Sequence, residues 1–179
     1  MPLVKNGAPA EDLFTAIADD AALPDGPVLV SAERFLKEAD ALVARNGEIG
    51  VLWPNARDVA ELKPYLSRLS VVALTFPKFR DGRAYSQARL LRSRYRFGGE
   101  VRATGEVLVD MVPLLSRTGF DAAVLRHDQS IEAAERALAF FPAHYQGDTA
   151  DNRPLFAKPE AAQAAVAKAA EFVNAGAAI

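Results

Sequence analysis

The stretch SVVALTFPKFRDGRAYSQARLLRSRYRFGGEVRATG, residues 70–105, decides how the chain is to be read. It opens on the most β-rich run of the sequence, stopped by Pro77. A helical pattern follows, with Ala84, Ala88, Leu91 and Tyr95 on one face. Gly98 and Gly99 then break the pattern, and GEVRATG reads as a second strand. Strand, helix, strand without a tight turn implies a parallel pair joined by a helical crossover. Asp81 is placed to cap a helix running from Gly82 to about Arg96.

The same alternation extends outward. PVLVSA, from Pro27, is short and apolar, as a strand buried on both faces should be. SAERFLKEADALVARNG repeats Phe35, Leu36, Ala39, Leu42 and Val43 at helical spacing and stops at Gly47. IGVLWP is a strand, and NARDVAELKPYLSRL a helix with Asn55 as N-cap and a kink or break at Pro64. Asp110 caps a helix that carries Pro113 and closes at Gly119. FDAAVLR is a further strand and SIEAAERALAFF a further helix. Residues 1–26 form an N-terminal extension with a short strand, LVK, and a short helix, AEDLFTAIA. Residues 27–147 form the core domain. Residues 148–179 form a loop and the alanine-rich helix KPEAAQAAVAKAAEFVNAG, with Val166, Phe172 and Val173 as its modest apolar stripe. The fold expected is α/β: one domain, a mostly parallel sheet of about five or six strands, helices on both faces. A partial (β/α) barrel is the alternative.

Composition excludes several chemistries. There is no cysteine, hence no disulfide, no thiolate nucleophile and no cysteine-held iron–sulfur cluster. His127 and His144 are the only histidines, and no carboxylate shows metal-type spacing, so no metal site is expected. No G-x-G-x-x-G or Walker loop occurs, so no cofactor is evident. No apolar run spans a bilayer and no secretory leader precedes the first strand, which points to the cytoplasm and away from a membrane partner. The net charge of −2 gives no reason to expect nucleic acid.

That charge is unevenly spread. Residues 76–105 hold eight basic and two acidic side chains, net +6; the rest of the chain holds 13 basic and 21 acidic, net −8. Parallel connections bring the C-terminal ends of the strands to one edge of the sheet, where ligands of open α/β folds bind. Asn55, Lys78, Arg80, Arg83, Thr104, Glu106, Arg126 and His127 collect there. An anion site is therefore expected at Lys78, Arg80, Arg83, Arg126 and His127, with unpaired backbone N–H groups of the following helix in support. Arg102 joins it if its side chain enters a pocket; an internal pair with Glu100 or Glu106 is the equal alternative. Tyr85, Arg89, Arg92 and Arg96 form a second stripe on the helix. That stripe is either a solvated face or a docking surface for an acidic partner. His127 is either a structural hydrogen-bonder or a general acid–base, and Trp53 reads as packing before it reads as a stacking platform.

The motifs WP at 53–54, LTFPKFRDGRAYSQARLLR, GGEVRATGEVL and RTGFDA together resemble a bacterial family of unknown function. Its members carry an oxidoreductase label and are encoded beside sulfite reductase and adenylylsulfate or phosphoadenylylsulfate reductase. The resemblance covers about Val28 to Gly147 and implies a role in assimilatory sulfate reduction. Arg80 stands where the family pattern has threonine, and Glu106 where it has aspartate; Arg83, Tyr85, Ser86, Arg89, Arg92 and Arg102 lie on shared positions. The expectation is an accessory protein that binds a small oxyanion or sulfonucleotide, or docks on sulfite reductase or phosphoadenylylsulfate reductase. A cofactor-dependent oxidoreductase and a purely structural subunit are the alternatives; separately, the last helix either docks loosely or packs against another copy, which would make a homo-oligomer.

Overall fold

The computed structural model describes residues 1–141 and 143–176; the side chains at 165, 169 and 171–176 lie outside the description, and with them the Phe172 and Val173 part of the apolar stripe. Eight strands form one sheet: β1 (Leu3–Lys5), β2 (Ala8–Ala10), β3 (Thr15–Ala16), β4 (Val28–Ser31), β5 (Ile49–Pro54), β6 (Val71–Phe76), β7 (Glu100–Gly105) and β8 (Ala122–Val124). Their spatial order is β2-β1-β8-β7-β6-β5-β4-β3. From β3 to β8 every neighbouring pair is parallel, while β1 runs antiparallel to β8 and to β2.

This order forces the sheet to curl. β2 and β3 are the two opposite edges, seven strand spacings apart. At about 4.8 Å per spacing a flat sheet would separate them by about 34 Å. Yet only residues 11–14 connect Ala10 to Thr15, and five Cα–Cα steps of about 3.8 Å reach about 19 Å. The edges must approach each other, so the sheet is rolled into an incomplete barrel, and residues 11–14 cross its hollow as a strap. The partial-barrel alternative fits this architecture. The strand count exceeds the expected five or six because the first 16 residues supply three strands. The expected helix AEDLFTAIA is instead the strap and β3, with Thr15 N–H donating to Pro27 O and Ile17 N–H to Leu29 O.

The helices are α1 (Ala32–Lys37), α2 (Ala39–Ala44), α3 (Arg83–Arg89), α4 (Val112–Thr118), α5 (Ile131–Phe140) and α6 (Pro159–Gly176). Strands that follow one another in sequence order, joined by right-handed crossovers, carry all their connections on one face. Phe35 of α1, Leu42 of α2, Ala84 and Ala88 of α3, Leu115 of α4 and Ala134 of α5 accordingly share a single core with Val30, Val51, Val72 and Val101 of the sheet. The expectation of helices on both faces gives way to this one-sided arrangement. Full burial of each large aliphatic side chain in that layer stabilises the fold by about 1.5–3 kcal/mol. The opposite, concave face carries a smaller cluster, Leu29, Val71 and Ala73, covered by Leu52 and by Phe14 of the strap.

Local chemistry accounts for the other differences. The expected helix at 32–47 is two short ones, broken at Glu38. NARDVAELKPYLSRL holds only a 3-10 turn, Val59–Leu62, capped by Asp58 rather than Asn55. Pro64 lacks the N–H that a continuing helix requires. α3 passes into a π-helical turn, Leu90–Arg94, and the left-handed residue beyond it is Arg96, with φ 54°, rather than either glycine. α4 starts at Val112, after a 3-10 turn that contains Asp110, and ends at Gly119 with φ 106°.

Candidate functional site: the strand-end edge and the basic helix

Because β5, β6, β7 and β8 are parallel, their C-terminal ends share one edge, and the loops carrying Asn55, Lys78, Arg83, Glu106 and His127 start there. Within it, Arg126 meets Glu106, and Asn55 lies toward Asp81. The charges there are largely spent on one another. Arg83 makes a two-pronged pair with Asp81, at 2.9 and 2.6 Å. Arg126 donates to Asp128 at 2.7 Å and to Glu106 at 2.9 Å. The Arg83 guanidinium, followed by the Asn55 amide and the Arg83 backbone N–H, holds the Asp81 carboxyl far below the ordinary carboxylate range. Asp128, and then Glu106, raise Arg126 well above the usual guanidinium value. Lys78, Arg80 and His127 are exposed. Among the described residues Lys78 and Arg80 meet no carboxylate within ion-pairing distance; Arg80 lies over the exposed ring of Phe79 at 5.3 Å.

Beneath this edge a polar staple holds the loop after β5. Gln87 donates through Nε2 to Arg57 O at 2.5 Å and to Asn55 O at 3.3 Å. Trp53 Nε1 donates to the same Arg57 carbonyl, and its ring is fully buried, so it serves packing. Asn55 Nδ2 lies toward Asp81 closely enough to help keep it ionised, yet completes no hydrogen bond of ordinary geometry. Gln87 Oε1 is likewise buried and unpaired.

Arg102 does not reach this edge. It sits mid-strand in β7, is 2 % exposed, and faces the hollow. Its Nε donates to Glu100 at 2.6 Å and its Nη1 to Asp12 of the strap at 2.8 Å, while Phe14 places its ring 5.6 Å from the guanidinium. Lys5 of β1 takes the other oxygen of Glu100 at 2.7 Å. The internal Glu100 pairing is therefore the one formed. The charge inside an apolar strand flagged a partner, but Asp12, 90 residues away, has no local signal at all.

On α3 and the π turn, the stripe Tyr85, Arg89, Arg92 and Arg96 divides. Tyr85 packs edge-on to Phe76 at 5.1 Å and to Phe120 at 6.2 Å, and burial raises its phenol. Arg92 is a structural clamp. It donates to Phe97 O at 2.5 Å, Gly99 O at 2.8 Å and Gly119 O at 2.9 Å, and pairs with Asp121, whose carboxylate also accepts Val101 N–H. Arg92 thus joins three turns and leaves the docking stripe. Arg89 and Arg96 remain exposed and, like Arg94, form no ion pair among the described residues. With Arg92 and Ser93 they line a cleft of about 440 Å³ whose other wall is residues 148–152. In that wall Asp148 accepts its own loop's N–H groups and Asp151 pairs with Arg153 and Lys158, so both carboxylates are already engaged.

Among the described residues no group of three or more His, Asp or Glu side chains could hold a metal ion, and no helix is long and apolar enough to cross a membrane. A family model described as "Bacterial protein of unknown function (DUF934)" matches residues 50–156, from β5 through α5 and beyond. No curated protein matches the chain, and no solved structure does.

Proposed function

Because the chain belongs to this family of bacterial proteins of unknown function (DUF934), no activity comes with membership, and we propose that it is an accessory protein of assimilatory sulfite reduction that works by docking on a reductase. The observation that carries the docking part is the set of exposed cations, unpaired among the described residues, along one stretch: Lys78 and Arg80 before α3, Arg89 at its end, Arg94 closing the π turn and Arg96 beyond it. A cation without a carboxylate within ion-pairing distance, in a region where Arg83, Arg92 and Arg126 are paired, is available to a partner's acid. The cleft beside Arg89 and Arg96 offers room for a projecting carboxylate. The pathway comes from the motif resemblance.

The test is affinity purification of tagged protein from cells growing on sulfate. Wild type should retain a sulfite or phosphoadenylylsulfate reductase in low salt and lose it as ionic strength rises, since exposed charge pairs are screened. Arg89→Glu with Arg96→Glu should weaken retention at least tenfold while the fold is kept. Retention unaffected by the double reversal sinks the docking surface.

A second reading is favoured by Lys78 and Arg80, which form no ion pair among the described residues, at the strand-end edge: a small oxyanion or sulfonucleotide bound there. Calorimetric titration with sulfite, sulfate and adenylylated sulfate checks it, and absence of heat with all three at millimolar concentration removes it. A bound chromophore in the purified protein would instead favour the oxidoreductase alternative.

A further inference from the structure

The concave face holds a charge arrangement that neither reading uses. Four ionised groups meet there: Lys5, Glu100, Arg102 and Asp12. Three belong to strands of the sheet and one to the strap. Without Asp12, the sheet alone presents two cations against one carboxylate. Glu100 is shared between Lys5 and Arg102, so it cannot neutralise both. The Arg102 side chain is 3 % exposed, whereas that of Asp12 is 40 % exposed. A buried guanidinium thus takes half of its ion pairing from a group that sits at the surface on a separate piece of chain.

The strap itself is lightly held. Glu11, Asp12 and Leu13 are exposed, and Leu13 points 66 % of its surface to solvent. Its anchors are the Asp12 pair, the Phe14 ring, which lies over Arg102 and packs on the Leu29, Val71 and Ala73 cluster, and the two residues of β3. Segments with few buried contacts open at low cost compared with global unfolding. Opening this one, however, strips a partner from a buried charge, and that is strongly unfavourable unless another anion takes its place. Opening and anion binding are therefore coupled.

We propose that Asp12 is the built-in occupant of an anion site on the concave face, and that displacing the strap hands Arg102 to a small oxyanion or to a ligand carboxylate. Both ligands present oxygens to one guanidinium, which grips either with paired donors. The tethered Asp12 carboxylate, paired with Arg102 at 2.8 Å, competes with an added anion at an effective concentration of the order of millimolar. This site lies on the opposite side of the sheet from α3, so its fate is separate from that of the docking surface.

The experiment compares wild type with Asp12→Asn, which keeps the shape and removes the charge. Each is titrated with sodium sulfate and, separately, sodium acetate, against sodium chloride at matched ionic strength. The readouts are calorimetric heat and the NMR resonance of the Arg102 Nε–H. Asp12→Asn should bind sulfate at least tenfold more tightly than wild type, and the Arg102 resonance should move with saturation. A larger response to acetate than to sulfate would assign the site to carboxylate ligands. Equal affinity in the two proteins overturns the proposal, and so does tighter binding that leaves the Arg102 resonance unmoved, because the anion then sits elsewhere. Asp12→Ala, which also removes the side-chain bulk, is the second variant and should bind sulfate more tightly than wild type as well.

Discussion

Arg92 and Arg102 have the same side chain and lie on the same basic stretch, yet their surroundings give them unlike tasks. Arg92 saturates itself on three backbone carbonyls and Asp121, which ties the end of the α3 region to the turns before β7 and β8. Close packing enforces this: a Cβ on Gly119 would lie 2.6 Å from Arg92 Cγ. Arg92→Ala leaves those acceptors and the Asp121 carboxylate without their donor, and urea denaturation should show a loss of about 2–4 kcal/mol. Arg92→Lys should recover only part of it, because an ammonium offers three donors on one nitrogen, whereas Arg92 reaches four acceptors from three nitrogens. Arg102, by contrast, is held by two acids and a ring, one acid of which is replaceable. Arg83 and Arg126 were legible as strand-end residues; that Asp81, Glu106 and Asp128 would neutralise them depended on rotamers that spacing does not encode.

Among the elements, the loops after α5 carry their own titratable reporter. His144 is half-buried near Phe141, and burial first, then the Arg117 charge, lowers its pKa, with Asp148 opposing. The unfolded imidazole titrates at about 6.5. The unfolded state therefore takes up its proton at higher pH than the folded state. Stability from this group is fully present above the unfolded value and is lost as pH falls through it toward the depressed folded value. NMR titration should find His144 half-protonated below the value of an unfolded imidazole, and a value above it would contradict the packing described here. Element existence was readable wherever apolar periodicity and a stop signal agreed, as in β4, β5, β6 and α5, the last capped by Ser130 as such helices favour. It was misread at NARDVAELKPYLSRL and AEDLFTAIA. There helical propensity is present, but Pro64 in one case and pairing with β4 in the other prevail.

For the whole molecule, the strap is the consequence of a topology that sends the chain from one sheet edge to the other within four residues. Native-state hydrogen exchange should order accordingly. The amides of Thr15 and Ile17, which anchor the strap, should exchange orders of magnitude faster than those of Val72 and Val101 in the central strands. Equal protection would mean that the strap opens only with global unfolding. The sequence by itself determined the alternation of strands and helices, the parallel core, and the gathering of basic loops at one edge, because periodicity and turn chemistry are local properties. It also marked Arg102 as a charge in need of a partner. Only the tertiary structure decided how far the sheet curls, which cations remain unpaired, and that Asp12 meets Arg102. Those outcomes depend on contacts between residues far apart in the chain, and such contacts leave no trace in local spacing.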